Sequence, residues 1–224
     1  MTLELIYNIL INNNNFILSK ILLKIIRKNG ERYYMNIGID IDDTITDLSC
    51  IFLKYARIFN QENRIDFPID KTQWDLDKAF GWNQKNYTDF SKKYLKKLLN
   101  EARPKKNAVN IINKLKDEGH KIVIITARNT EELINPYDMT KKWLISNNIK
   151  FDKLIVNSNK KEEDCLNNKI NVFIDDRLEN CEKVYQKLHI PVFLFDSIYN
   201  TNDNHPLIER LFSWDEVYLK VKNI

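Results

Sequence analysis

Three carboxylates fall within four residues at Asp40, Asp42 and Asp43, directly after the apolar run Ile37-Gly38-Ile39. On an extended backbone Asp40 and Asp42 start on the same face, because side chains alternate with a period of two. Carboxylates held that close repel one another unless a cation or a shared proton intervenes. A hard divalent cation such as Mg²⁺ suits them and would also attract phosphate oxygens. The competing reading is a turn after a strand, where Asp and Thr serve local hydrogen bonds. Against it stands a second acidic pair, Asp175-Asp176, after the apolar run Val172-Phe173-Ile174. Two strand ends that each carry adjacent acids are hard to explain as solubility. A third apolar run, Ile122-Val123-Ile124-Ile125, ends in Thr126, Ala127, Arg128 and Asn129. Its hydroxyl, guanidinium and amide groups are of the kinds that receive a phosphate.

Strands and helices must position these groups. Residues 35–40, 121–126, 154–156, 171–176 and 191–195 read as five strands, the second being the continuous apolar run expected of a strand covered on both faces. Between and after them, apolar residues at three- and four-residue intervals predict helices over 47–60, from Pro104 to a C-cap at Gly119, and over 138–146, 179–188 and 214–221. The alternation predicts an α/β fold with a doubly wound, mostly parallel five-stranded sheet. In such sheets ligands bind beyond the carboxyl ends of the strands, where the acids lie. Residues 61–103 show no strand alternation and are too long for a simple connection, so a small helical cap is expected over about 47–103. Aromatics and lysines interleave in it. Trp74, Phe80 and Trp82 are the candidates to stack a base, and the same aromatics could equally form the insertion's own core.

Composition narrows the function classes. Four Gly cannot furnish a Gly-rich phosphate loop, which argues against a Walker-type kinase and a dinucleotide-binding Rossmann enzyme. A net charge of +4, without a clustered basic run, gives no ground for nucleic-acid binding. The three cysteines, Cys50, Cys165 and Cys181, are odd in number and widely spaced, as expected of reduced thiols in the cytoplasm. Residues 1–34 read as an amphipathic extension preceding the domain of residues 35–224. Its second apolar run is interrupted by Lys20 and Lys24, so no membrane span is expected, and the pattern of a signal peptide is missing.

Taken together, the motifs resemble those of the haloacid-dehalogenase-like hydrolase superfamily. Asp40-Ile41-Asp42-Asp43-Thr44-Ile45 looks like the first motif, Thr126 the second, Lys161 the lysine of the third and Asp175-Asp176 the acidic fourth, each after an expected strand. Thr126-Ala127-Arg128, Ile174-Asp175-Asp176-Arg177 and the tail from Ile190 to Phe195 with Tyr199, Asn200 and Trp214 resemble more specifically the small 5'-nucleotidases of the deoxyribonucleotidase type and their bacterial relatives. The resemblance covers residues 35 to about 221. It implies a Mg²⁺-dependent phosphatase that hydrolyses nucleoside monophosphates through an aspartyl-phosphate intermediate. Asp40 would be the nucleophile and Asp42 the acid and base. Mg²⁺ would sit between the Asp40 carboxylate, the Asp42 carbonyl and Asp176, with Asp175 beside it. Thr126 and Lys161 would hold the phosphoryl oxygens, with Lys160, Lys141 and Lys142 as competitors of Lys161. Arg128 would bind the substrate phosphate or pair with an acid. Asp42 argues against dehalogenation, which uses no such acid. A sugar phosphatase and a phosphate-binding regulator without turnover are the alternatives.

Overall fold

In the computed structural model, which describes residues 34–73, 76–129 and 135–224, the acid-bearing strand β1 (Asn36–Ile39) lies inside a six-stranded sheet. Its neighbours are β2 (Lys121–Ile125) and β4 (Val172–Asp175). Outside these run β3 (Lys153–Ile155), β5 (Val192–Phe195) and β6 (Glu209–Leu211), giving the order β3-β2-β1-β4-β5-β6. All five pairings are parallel, with Ile37 opposite Ile122 on one side and Val172 on the other. Both faces are covered, which is why β1, β2, β4 and β5 are apolar runs. Ile37, Ile39, Ile122, Ile124 and Ile174 pack on one side with Trp214 and Leu144; Val123, Ile125 and Phe173 pack on the other with Cys165 and Cys181. Gly38 is what lets the second layer close over β1: a Cβ there would lie 3.0 Å from the Phe173 ring and 3.2 Å from Ile170.

Six strands replace the expected five. The additional β6 reads Glu-Arg-Leu and sits at the sheet edge, so only one of its residues is buried and no apolar run announces it. Pro104 does not open a helix. It forms an isolated antiparallel bridge with Thr46, and the helix α5 (Ala108–Asp117) starts four residues later.

Helix α1 (Leu48–Glu62) follows β1, then α2 (Leu76–Phe80) and α3 (Gln84–Phe90), which continues through a π-helical turn at Ser91–Leu95 into α4 (Lys96–Glu101). Asn83 and Asn86 close a reciprocal capping box at the start of α3. These helices share a core of their own, with Phe59, Trp82, Phe90 and Tyr94 in ring contact. Tyr55 donates to Glu101 at 2.7 Å and Tyr94 to Glu62 at 2.8 Å, tying α1 to α4 and to the π turn. The chain leaves the sheet and returns at adjacent points: Lys105 N–H donates to Ile45 at 2.7 Å and Asp47 N–H to Arg103 at 3.3 Å. Helices α6 (Pro136–Ser146), α7 (Lys161–Asn167), α8 (Leu178–Leu188) and α9 (Trp214–Asn223) complete the layers. Of these, α7 was not expected from the sequence. The extension expected over 1–34 lies outside the described residues, apart from Tyr34. Among the described residues no helix is long and apolar enough to cross a membrane.

Candidate active site

The chain steps from β1 outward through β2 to β3, then returns to place β4 on the other side of β1. That reversal opens a crevice at the carboxyl ends of β1 and β4. Asp40 follows β1, with its N–H bonded to the Ile174 carbonyl at 3.0 Å, so the two acid-bearing strand ends are joined. The chain then turns sharply: Ile45 and Thr46 N–H both donate to the Ile41 carbonyl, at 2.8 and 3.0 Å. Asp43 adopts φ +60°, a conformation that Asp tolerates better than most residues. Its carboxylate accepts the Ser49 N–H at 2.8 Å and the Ser49 hydroxyl, and so anchors the first turn of α1. The turn also aims Thr44, whose hydroxyl donates to Asp176 at 2.8 Å. Trp214 of α9 holds the Thr44 carbonyl from behind at 3.2 Å.

The floor of the crevice is a buried ion cluster. Lys161 opens α7 and reaches inward to donate to Asp40 at 2.5 Å and Asp175 at 2.6 Å, all three side chains at most 7% exposed. The competitors stand elsewhere: Lys160 is exposed, and so are Lys141 and Lys142 on α6. The acidic first turn of α7, Glu162 to Asp164, suits the positive end of the helix. Ser158 also donates to Asp164 from the preceding loop. Asp175 is saturated, since it also accepts the Arg177 N–H at 2.8 Å and the Asn180 amide at 3.1 Å. The Asp176 carboxylate, by contrast, takes the Thr44 hydroxyl alone among the described residues. Thr126 follows β2, buried, with its hydroxyl accepting the Arg128 N–H at 3.4 Å. Arg128 grips Asp42 with two bonds, at 2.6 and 2.9 Å.

Burial governs the electrostatics. It pushes the Asp40 carboxyl up to about 7 against the pull of Lys161, with the charges of Asp175 and Asp42 adding to the rise. Asp176 is driven well above the usual carboxylate range by burial and by Asp175 and Asp40 beside it. Burial alone would depress Lys161, but Asp175 and Asp40 outweigh it and hold the ammonium charged. Five carboxylates, Asp40, Asp42, Asp43, Asp175 and Asp176, thus line this end of the cleft, and the side-chain cations bonded to them among the described residues, Lys161 and Arg128, do not balance them. A phosphate dianion would need more positive charge here. Among the described residues no three acidic, His or Cys side chains converge as a ready-made metal cage. Two carboxylates and a carbonyl, with water and phosphate oxygens completing the shell, match the way Mg²⁺ is held, so the donor set fits that ion.

The cleft has a volume of about 540 Å³ and joins this charged floor to an apolar chamber formed by Leu48, Phe52, Tyr87, Leu95 and Leu98 together with Phe80. Phe80 lines the cleft while also packing in the core of the insertion. Trp82 does not line it: it packs among the rings of the helical insertion, its indole N–H donating to Asn60 at 2.5 Å. Trp74 lies outside the described residues. Phe52 and Asn180 lie in no motif, and Thr44 lies in the first motif without a role read for it. Phe52 in particular recurs with Leu48 and Tyr55 at helical spacing, which reads as core.

A candidate nucleotidase by its name, YqfW of Bacillus subtilis (strain 168), is 30% identical over 190 residues, spanning 84% of this chain and 94% of that protein. A nucleotidase of Clostridium acetobutylicum is 29% identical over 185 residues, spanning 82% and 92%. Among solved structures, a haloacid-dehalogenase-like family hydrolase from Streptococcus pneumoniae superposes with a TM-score of 0.62 over 84% of this chain and 98% of its own, at 14% identity, a likeness of fold. The family model described as 5' nucleotidase, deoxy (pyrimidine), cytosolic type C protein matches residues 34–223. The chain belongs to that family, the cytosolic type C 5'-nucleotidases, and carries its chemistry on a haloacid-dehalogenase-like hydrolase fold.

Proposed function

We propose that the chain hydrolyses nucleoside monophosphates with Mg²⁺ through a phosphorylated Asp40. The observation that carries this reading is the joining, in one cleft, of a buried carboxylate beside Lys161 to an aromatic-lined chamber of nucleoside size. Asp40 attacks phosphorus, the bond from phosphorus to the ester oxygen breaks, and the leaving oxygen takes a proton from Asp42. Water then attacks the phosphorylated Asp40 and gives a proton to Asp42, releasing phosphate and restoring both carboxyl groups. Lys161 and Thr126 neutralise and orient the phosphoryl oxygens. Asp40, the Asp42 carbonyl and Asp176 would hold Mg²⁺, which would supply the positive charge that lets one anion approach another. The saturation of Asp175 supports Asp176 as the ligand and leaves Asp175 to position Lys161. Helices α1 to α4 serve as a cap over the phosphoryl site. We place the protein in the cytoplasm, in keeping with the family's description and with three free cysteines.

The test is phosphate release from a panel of nucleoside monophosphates and sugar phosphates, with Mg²⁺ and with EDTA, alongside Asp40→Asn. Release from nucleotides that requires Mg²⁺ and vanishes in the variant supports the reading. Release from sugar phosphates alone replaces the substrate. No release from any ester moves the protein to the class of phosphate-binding regulators.

A further inference from the structure

Arg128 is built to hold something still. Its N–H bonds to Thr126, its carbonyl accepts the Asn157 N–H at 2.8 Å, and one guanidinium nitrogen faces the buried Thr140 hydroxyl at 3.4 Å. With the stem fixed at three points, the other two nitrogens meet both oxygens of Asp42, at 2.6 and 2.9 Å. The guanidinium side chain is 6% exposed and the Asp42 side chain 28%. The anchored partner is therefore Arg128, and the partner facing the cleft is Asp42. A two-pronged pairing of this kind fixes the plane of a carboxylate as well as its place.

We infer that Arg128 is a positioning residue that aims the Asp42 carboxyl group at the leaving oxygen and then at the attacking water. This rests on the proposed roles of Asp40 and Asp42. Both proton transfers use Asp42: the first gives its proton to the departing ester oxygen, and the second returns one from water. Formation of the bond between Asp40 and phosphorus uses neither. Loss of Arg128 should therefore slow the two proton-transfer steps and spare the attack itself. Direct contact of Arg128 with the substrate phosphate would instead weaken every ester alike, since all carry the same phosphoryl group.

The experiment compares wild type, Arg128→Gln and Arg128→Lys by rapid quench on two esters. One is a nucleoside monophosphate, whose alkoxide leaving group needs a proton. The other is p-nitrophenyl phosphate, whose leaving group does not. In Arg128→Gln the expected kcat for the nucleotide falls roughly 10- to 100-fold, the loss typical of a misaimed acid and base, with KM within about threefold. p-Nitrophenolate should appear in a stoichiometric burst at a rate within about threefold of wild type, followed by slow turnover, because only water attack is impaired. Arg128→Lys keeps the charge and loses the fork, so it should behave like Arg128→Gln. Full recovery in Arg128→Lys overturns the inference, as does an equal fall of burst and steady state in a folded variant, or a rise in KM with kcat intact. A wild-type chain that cleaves neither ester overturns the proposed function along with it. Wild-type turnover with any of the other refuting results overturns this inference alone.

Discussion

Thr44→Val isolates one hydrogen bond at the proposed cation site. The Thr44 side chain is fully buried and its hydroxyl donates to Asp176 at 2.8 Å, the sole donor to that carboxylate among the described residues. Valine keeps the branched shape and removes the donor. A hydrogen bond to a charged group contributes about 1.5–3 kcal/mol, and about 1.4 kcal/mol is a factor of ten in affinity. If Asp176 is a Mg²⁺ ligand, the variant should therefore need roughly 10- to 100-fold more Mg²⁺ for half-maximal phosphate release, the range seen when a ligand loses its supporting bond. The same substitution should lower stability by about 1–3 kcal/mol in the metal-free protein, because a buried acceptor loses its partner. The assay is a Mg²⁺ titration of phosphate release from a nucleoside monophosphate, paired with calorimetric Mg²⁺ binding and a melting curve in EDTA. A folded variant with the wild-type Mg²⁺ midpoint would refute Asp176 as the ligand. It would turn attention to Asp175, which Thr44 does not touch.

Lys161→Met should cut phosphate release by roughly 100-fold or more, the usual loss when a group that stabilises transition-state charge is removed; steady-state kinetics at saturating Mg²⁺ reads it, and a loss below tenfold would mean that another cation serves the phosphoryl group. Trp82→Phe removes the bond to Asn60 while keeping a ring in the insertion's core. It should cost about 1–3 kcal/mol on urea unfolding yet leave kcat/KM for a nucleotide within about threefold, and a large rise in KM would return Trp82 to the substrate site. Gly38→Ala would press a methyl group against Phe173 at 3.0 Å and Ile170 at 3.2 Å. Overpacking of this kind costs about 1–3 kcal/mol, to be read as a lower denaturant midpoint with an unchanged slope.

What the sequence shows of this molecule follows its physics. Strands buried on both faces leave an unbroken apolar signature, so β1, β2, β4 and β5 were legible, whereas Glu209-Arg210-Leu211 at the edge was not. The acids stood out because adjacent carboxylates at two separate strand ends are more than local turns require. Lys161 could be placed near them, but its choice over Lys160 depends on which residue begins α7 and so points inward. The pairing of Asp42 with Arg128 joins residues 86 positions apart and follows from β1 lying beside β2, which spacing cannot express. Phe52 and Trp82 fall on opposite sides of the same uncertainty. Both are aromatic residues of a small helical layer, and only three-dimensional packing decides that the first lines the cleft and the second the core.

The paired segments at Ile45–Asp47 and Arg103–Lys105 bear on how such a protein can diversify. Because outgoing and returning chains lie side by side, the sheet sees the same two anchor points whatever is spliced between them. Closing a longer or shorter loop between fixed ends changes the entropy only logarithmically with length. Residues 48–101 therefore amount to an exchangeable cassette. The floor of the cleft, with Asp40, Asp175, Asp176 and Lys161, belongs to the sheet, its following loops and the start of α7, while the apolar chamber is drawn mainly from the cassette. On the proposed roles, another cassette on the same anchors would leave the phosphorus chemistry in place and change the molecule it is applied to.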